Sequence, residues 1–283
     1  MPTCYRHPDR ETGLSCSECG RPICTECMTM APVGIRCPDH AGGAAKGRLR
    51  GPAPVVRAQH RVNATFAPVT KALIGINVAI YLITVVQGAG IDSPGGSLFF
   101  KFVLDGPDVA NGGWWRLLSS AFLHENILHI GINMLSLWFI GPAVEHYLGR
   151  ARFVGLYLVA GLAGSAGALL QAPMTYTVGA SGAIFGILGS LLILEWQATG
   201  RLAGQAMTWI VINLVLSFSI AGISWGGHIG GLVAGILATL SFARWGRGHA
   251  AYGRVGLIGA AGLVLIAVGS VAIAYLKVRG MAY

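Results

Sequence analysis

Charge is scarce in this 283-residue sequence, and acid is scarcer still. Charged residues make up 11% of the chain, against roughly 25% in a typical soluble domain. Beyond Glu145 the sole carboxylate side chain is Glu195, so an acid to complete any catalytic triad in the second half has one candidate. Cysteine is absent beyond Cys37. The first residues, MPTCYRHPDRETG, have no apolar core, and no secretory leader is expected. The 42 glycines follow no three-residue period, which excludes collagen. No internal repeat is visible, which argues against a transporter. No basic stripe is interleaved with exposed aromatics, so no nucleic-acid partner is expected.

What is present in abundance is apolar sequence. Hydrophobic residues reach 54% and the mean hydropathy is +0.63. Seven apolar segments follow residue 68: about 69–87, 117–144, 153–170, 181–197, 206–219, 225–243 and 255–275. Several approach the ~20 residues needed to cross a bilayer, so the fold expected is an all-α polytopic membrane protein. The stretch 206–243 is too long for one span, and a turn within 220–227 is expected to divide it. A long connector, 88–113, ends in Trp114-Trp115-Arg116. The net charge of +9 is unevenly placed. Twelve Lys and Arg fall on the side of residues 46–71 and four on the opposite side. That bias orients the N-terminus toward the cytoplasm. The Gly/Ala/Pro-rich stretch 41–67 carries Lys46, Arg48, Arg50, Arg57 and Arg61, a basic flexible linker suited to anionic headgroups.

The first 40 residues contain four pairs at two-residue spacing: Cys4/His7, Cys16/Cys19, Cys24/Cys27 and Cys37/His40. These eight N/S ligands suffice for two tetrahedral zinc ions with no position left open for water, which is the pattern of structural rather than catalytic metal. Three disulfides would leave both histidines and the paired spacing unexplained, and a reducing cytoplasmic side favours thiolate–zinc. A segment this short has little hydrophobic core, so metal binding would supply its folding energy. The module resembles a B-box-type zinc finger. By that resemblance the first and third pairs share one ion, and the second and fourth the other.

Two polar residues stand out in the apolar part. Ser181 opens the fourth segment within VGASGAIFG, and His228 lies near the start of the sixth within WGGHIGG. An ionisable side chain at membrane depth is costly and points to function. Segments four and six both run inward from the outer side, which brings Ser181 and His228 to similar depth. A serine and a histidine meeting there form a nucleophile–base pair. Glu195 lies fourteen residues past Ser181, about 21 Å along a helix, so a Ser–His dyad is expected rather than a triad. In HENILHIGIN, His129 and Asn133 are spaced i,i+4 and share a face. With the Ser181 backbone N–H they can serve an oxyanion, where each donor typically contributes about 2.7–4 kcal/mol. His124-Glu125…His129 imitates a zinc-protease H-E-x-x-H but is one residue too long. Histidines five apart lie about 140° apart on a helix, so no metal is expected in catalysis. Gly179, Gly182 and Gly231 let the two helices approach closely, and Phe185, one turn past Ser181, can pack on the imidazole.

The set Trp115-Arg116, His124, His129-x-x-x-Asn133, Gly179-Ala180-Ser181-Gly182 and His228-x-x-Gly231 resembles the rhomboid family of intramembrane serine proteases, in order and spacing, over about 69–243. The resemblance implies a six-helix core, at 68–245, with an additional C-terminal transmembrane helix and tail at 246–283. The linker at 41–67 and the zinc module at 1–40 precede it. It further implies Ser181 as nucleophile, His228 as general base and acid, and His129 and Asn133 at the oxyanion, with Gly179, Gly182, Phe185 and His124 in support. The connector 88–113 would be a half-embedded loop and the fifth helix a substrate gate. Phe185 departs from the tyrosine frequent in the family. The function expected is hydrolysis of peptide bonds in or beside transmembrane helices of substrate proteins, in the plasma membrane, with the site opening outward. A catalytically inactive rhomboid-like binder is the alternative. A cytoplasmic protein is the partner expected for the zinc module.

Overall fold

The computed structural model describes residues 2–31, 34–40, 67–243 and 256–281. The chain divides into two compact units, Met1–Arg57 and Ala58–Tyr283. Residues 41–66, which hold nearly all of the expected basic linker, lie outside the described residues, as do 244–255.

Among its described residues the first unit has no helix and forms two antiparallel hairpins, β1 (Thr3–Cys4) with β2 (His7–Glu11) and β3 (Thr29–Ala31) with β4 (Gly34–Arg36). Its buried apolar side chains are Ile23 and five of the cysteines, with Tyr5, Leu14, Met28 and Ile35 packed around them. So small a core cannot offset the ordering entropy of some forty residues.

The second unit is helical. Among the described residues its α-helices are α1 (Pro68–Gln87), α2 (Gly96–Phe102), α3 (Gly106–Ala110), α4 (Arg116–Ser119), α5 (Ile127–Leu148), α6 (Arg150–Gln171), α7 (Ser181–Thr199), α8 (Gln205–Ser219), α9 (Trp225–Phe242) and α10 (Leu257–Val278). Six of them, α1, α5, α6, α7, α9 and α10, are long and apolar enough to cross a membrane, which makes the chain a multi-pass membrane protein. The fifth expected segment becomes α8, whose 15 residues reach about 22 Å, short of a ~30 Å hydrocarbon core. The expected break in 206–243 falls between Ser219 and Trp225. The connector 88–113 is not an open loop, since it folds into α2 and α3. Pro107 at the first turn of α3 favours the helical start.

Both late carboxylates cap helix N-termini. Glu145, on α5 and nearly fully buried, accepts from the Val69 N–H (3.1 Å), the Thr70 N–H (2.8 Å) and the Thr70 hydroxyl (2.8 Å). It does for α1 what that helix's own N-cap residue, Ala67, cannot. Glu195, on α7, accepts from the Ala206 N–H at 3.1 Å and so caps α8. A carboxylate at these ends satisfies orphan donors and meets the positive end of the helix dipole.

At the centre, α9 packs on α6 and α7, and glycine makes the contact possible. A methyl group on Gly231 would overlap the Gly182 carbonyl oxygen, and one on Gly235 would overlap the Gly186 carbonyl oxygen. The contacts advance together along both chains, so α7 and α9 run parallel. Against α6 they run in reverse, Gly226 meeting Gly167 and Gly230 meeting Ala163. Backbone-to-backbone approach of this kind gains dispersion and weak Cα–H···O contacts that larger side chains would block. Gly235→Ala should therefore lower the thermal unfolding temperature in detergent by several degrees, as overpacking costs about 1–3 kcal/mol. Gly269→Ala on α10, where an added methyl meets nothing within 4 Å, should leave it unchanged. Equal stability of the two variants would contradict the close-contact reading.

Candidate active site

Ser181 is the first residue of α7. The chain reaches it from an extended segment, where Leu104 and Thr177 form a β-bridge, and turns at Gly179, which has φ +122°. Such a backbone is strained for residues other than glycine. The space is also closed. A Cβ at Gly179 would lie 2.6 Å from His129 Nε2 and 3.7 Å from Asn133 Nδ2. Both side chains of α5 therefore converge on backbone two residues before Ser181. The Gly179 N–H donates to the Ser120 carbonyl at 3.0 Å, which fixes the turn.

The α5 side of the site is held locally. Asn126 caps α5 by accepting from the His129 N–H at 2.8 Å. Asn133, buried, donates from Nδ2 to the His129 carbonyl at 3.1 Å. Glu125 Oε1 lies 3.6 Å from His129 Nδ1. His124 is fully buried, edge-on to the His129 ring with centroids 5.1 Å apart. Neither His124 ring nitrogen has a hydrogen-bond partner among the described residues. His124 precedes α5, so the two histidines do not share a helix as the spacing argument assumed.

On the other side stands His228 of α9. Its ring lies parallel to Phe185 at 4.2 Å between centroids and 14° between planes. Phe185 is one turn beyond Ser181 on α7 and shares its face, so the stack holds the imidazole over the serine's side of the helix. The Gly182–Gly231 and Gly186–Gly235 contacts put α7 and α9 in register. That register levels His228 with Gly179, two residues or about 3 Å of helix from Ser181. No hydrogen bond joins Ser181 and His228 among the described residues. His228 Nδ1 instead lies 2.6 Å from the Ser217 hydroxyl of α8.

Two polar residues here carry no signal in the sequence. Ser217 sits in an apolar helix eleven positions before His228. Gln171 ends α6, where its Oε1 accepts from the Gly226 N–H (2.7 Å) and the Ser224 hydroxyl (3.3 Å) and so anchors the start of α9. Trp115-Arg116 was visible, and its task is structural. Arg116 donates to the Phe100 and Val103 carbonyls (2.8 and 2.6 Å) and pairs with Asp108 (2.7 Å). It thereby ties α2 and α3 to the helical body.

In the first unit the eight ligand candidates gather into two sets, Cys4/His7/Cys24/Cys27 and Cys16/Cys19/Cys37/His40, each with its donor atoms within 4.8 Å of one another. The first and third pairs meet, as do the second and fourth. His7 Nδ1 is 3.4 Å from Cys24 Sγ, 3.4 Å from Cys27 Sγ and 3.8 Å from Cys4 Sγ. His40 Nδ1 is 3.2 Å from Cys37 Sγ and 3.9 Å from Cys16 Sγ, and the Cys19–Cys37 sulfurs are 3.8 Å apart. A tetrahedron with Zn–S of about 2.3 Å and Zn–N of about 2.0 Å has edges of roughly 3.5–3.8 Å, so both sets could hold an ion of that size. Burial acts to raise the Cys4 thiol, but backbone N–H groups of Cys24 and Arg6 and the His7 ring outweigh it and bring it to about 6. Burial and the nearby Cys4 and Cys24 sulfurs push Cys27 up to about 11. Thiols packed this closely cannot all ionise without a cation between them.

A Rhomboid domain family model matches residues 111–245. Rhomboid protease GluP of Bacillus subtilis is 41% identical over 134 residues, which cover 46% of this chain and 26% of that protein. Putative rhomboid protease YdcA of the same organism is 39% identical over 140 residues, 47% of this chain and 69% of the relative. RHOMBOID-like protein 4 of Arabidopsis thaliana is 38% identical over 129 residues, 44% and 32% respectively. The chain thus spans about a quarter to a third of two of these relatives and about two thirds of YdcA.

The cap on α8 yields a direct expectation. With Glu195→Ala the Ala206 N–H loses its acceptor, and amide hydrogen exchange in the first turn of α8 should speed by about tenfold, while α6 and α9 exchange as before. Unchanged exchange at residues 205–209 would show that the carboxylate does not hold this helix end.

Proposed function

The chain belongs to the rhomboid family, and on that footing we propose that it is an intramembrane serine endopeptidase acting in or next to transmembrane helices of membrane-protein substrates. One observation supports this most: the His228 imidazole is stacked on Phe185, one turn from Ser181, where the backbones of α7 and α9 touch. In this reading His228 takes the Ser181 hydroxyl proton as Oγ attacks the scissile carbonyl. The oxyanion is met by the Ser181 backbone N–H with His129 and Asn133. The C–N bond then breaks as His228 returns the proton to the leaving amine, and water releases the acyl group by the same steps in reverse order. Catalytic hydrogen bonds are often long in a free enzyme and tighten with substrate, which accommodates the unformed Ser181–His228 bond. That same gap is the observation favouring the second reading, a catalytically inactive rhomboid-like binder.

The catalytic core is taken as 68–245, with α10 and the tail after it as an extra transmembrane element. The twelve-to-four Lys/Arg bias supports a cytoplasmic N-terminus, and hence a site opening to the outer side of the plasma membrane. Residues 1–40 are read as a B-box-type module with two structural zinc ions, one held by Cys4, His7, Cys24 and Cys27 and the other by Cys16, Cys19, Cys37 and His40. When bound, zinc supplies folding energy and no chemistry. The module is proposed to recruit a cytoplasmic protein.

Two measurements bear on these readings. Wild-type protein reconstituted with a single-span substrate carrying helix-weakening residues should cleave it, and Ser181→Ala should lose at least about a thousandfold in rate. Retained cleavage in the variant would remove Ser181 from the mechanism, and an inactive wild type that still binds the substrate would support the binder. Elemental analysis of the purified chain should find two zinc ions, falling to one in Cys24→Ser and to one in Cys37→Ser. A metal-free wild type with a folded N-terminal unit would overturn the metal assignment.

A further inference from the structure

His228 has a partner other than the proposed nucleophile. The Ser217 hydroxyl oxygen lies 2.6 Å from the Asn213 carbonyl oxygen and 2.6 Å from His228 Nδ1. Ser217 is almost completely buried. A carbonyl oxygen can only accept. Two oxygens at 2.6 Å without a proton between them would repel, so the Ser217 proton must lie toward Asn213. The hydroxyl then has only lone pairs left for the imidazole, and Nδ1 must be the donor. A neutral imidazole with its proton on Nδ1 carries its free lone pair on Nε2. The chain Nδ1–H to Ser217 to Asn213 therefore selects one tautomer, the one whose Nε2 can receive a proton.

We propose that Ser217 is a positioning residue of this site, a neutral hydroxyl that sets the tautomer and rotation of His228 where a carboxylate would stand in a triad. The assignment rests on the reading of His228 as the base. It also explains how the site does without an acid, because the two late carboxylates are engaged at helix ends, Glu145 at α1 and Glu195 at α8. Phe185 fixes the plane of the ring and Ser217 its rotation within that plane. Since Ser217 belongs to α8 and His228 to α9, the base is primed only while the end of α8 lies against α9.

The test combines kinetics with a measurement that needs no activity. In the reconstituted full chain, Ser217→Ala and Ser217→Val should each lower kcat about three- to tenfold with KM unchanged, the scale of one neutral hydrogen bond. Ser217→Thr, which restores the hydroxyl, should recover most of the rate. In ¹⁵N-histidine-labelled protein in detergent, with the signal assigned by His228→Gln, His228 should be protonated at Nδ1 in the wild type and in Ser181→Ala, and mixed between tautomers in Ser217→Ala. A wild-type His228 protonated at Nε2 overturns the proposal, as does a Ser217→Ala protein with wild-type kcat. Equal losses in Ala, Val and Thr with a raised KM also overturn it, since they mark a packing effect. If instead the tautomer follows Ser217 while Ser181→Ala still cleaves, the positioning claim holds and the nucleophile assignment falls.

Discussion

The helices α7 and α9 touch through their backbones, and the site depends on that contact. Side chains normally keep helix axes 8–10 Å apart. Glycines at 182, 186, 231 and 235 remove the spacer, so residues at the facing helix starts come within reach of each other. Lipid tails offer no hydrophobic drive for such pairing, and close packing must supply the stability instead. The same contact sets the level of His228 against Gly179, the turn on which His129 and Asn133 converge. Structure and proposed chemistry therefore share one origin: the smallest side chains sit where the polar ones must meet.

Polar groups inside an apolar body need partners, and this fold finds them in an economical way. Glu145 and Glu195 each neutralise the open end of a helix rather than entering the site. Gln171 does the same for α9 without charge, and Arg116 gathers carbonyls of the 88–113 connector. With every late carboxylate engaged, the proposed base is oriented by a hydroxyl. A neutral partner is also easier to bury than an ion, whose desolvation costs several kcal/mol unless it is well paired.

Much of this was legible in the sequence because it is written in local spacing. The two-residue Cys/His pairs foretold two four-ligand sets, and the apolar runs foretold most of the long helices within a few residues, while the run from 117 proved to hold a short helix and a turn before α5 begins at Ile127. Small residues around Ser181 and His228 announced a close approach. What could not be read depends on contacts distant in the chain. Ser217 is one hydroxyl among several in an apolar helix, and only the fold sets it against His228. The position of Glu195 fourteen residues past Ser181 could be read from spacing, but its capping of α8 depends on the turn at Gly200 that brings Ala206 back to it. The first unit's hairpins were hidden because loops around paired ligands show no strand periodicity. The shortness of α8 was legible, because the Gly-containing turn after Ser219 interrupts an otherwise continuous apolar stretch.

The central claim is that Ser181 is a nucleophile activated by His228 across the α7–α9 contact. A serine-directed fluorophosphonate, added to the protein in detergent and located by peptide mass spectrometry, reads this without a substrate. Modification at Ser181 that is lost in His228→Ala is the expected result. Modification elsewhere, or labelling of Ser181 at the same rate without His228, would contradict it.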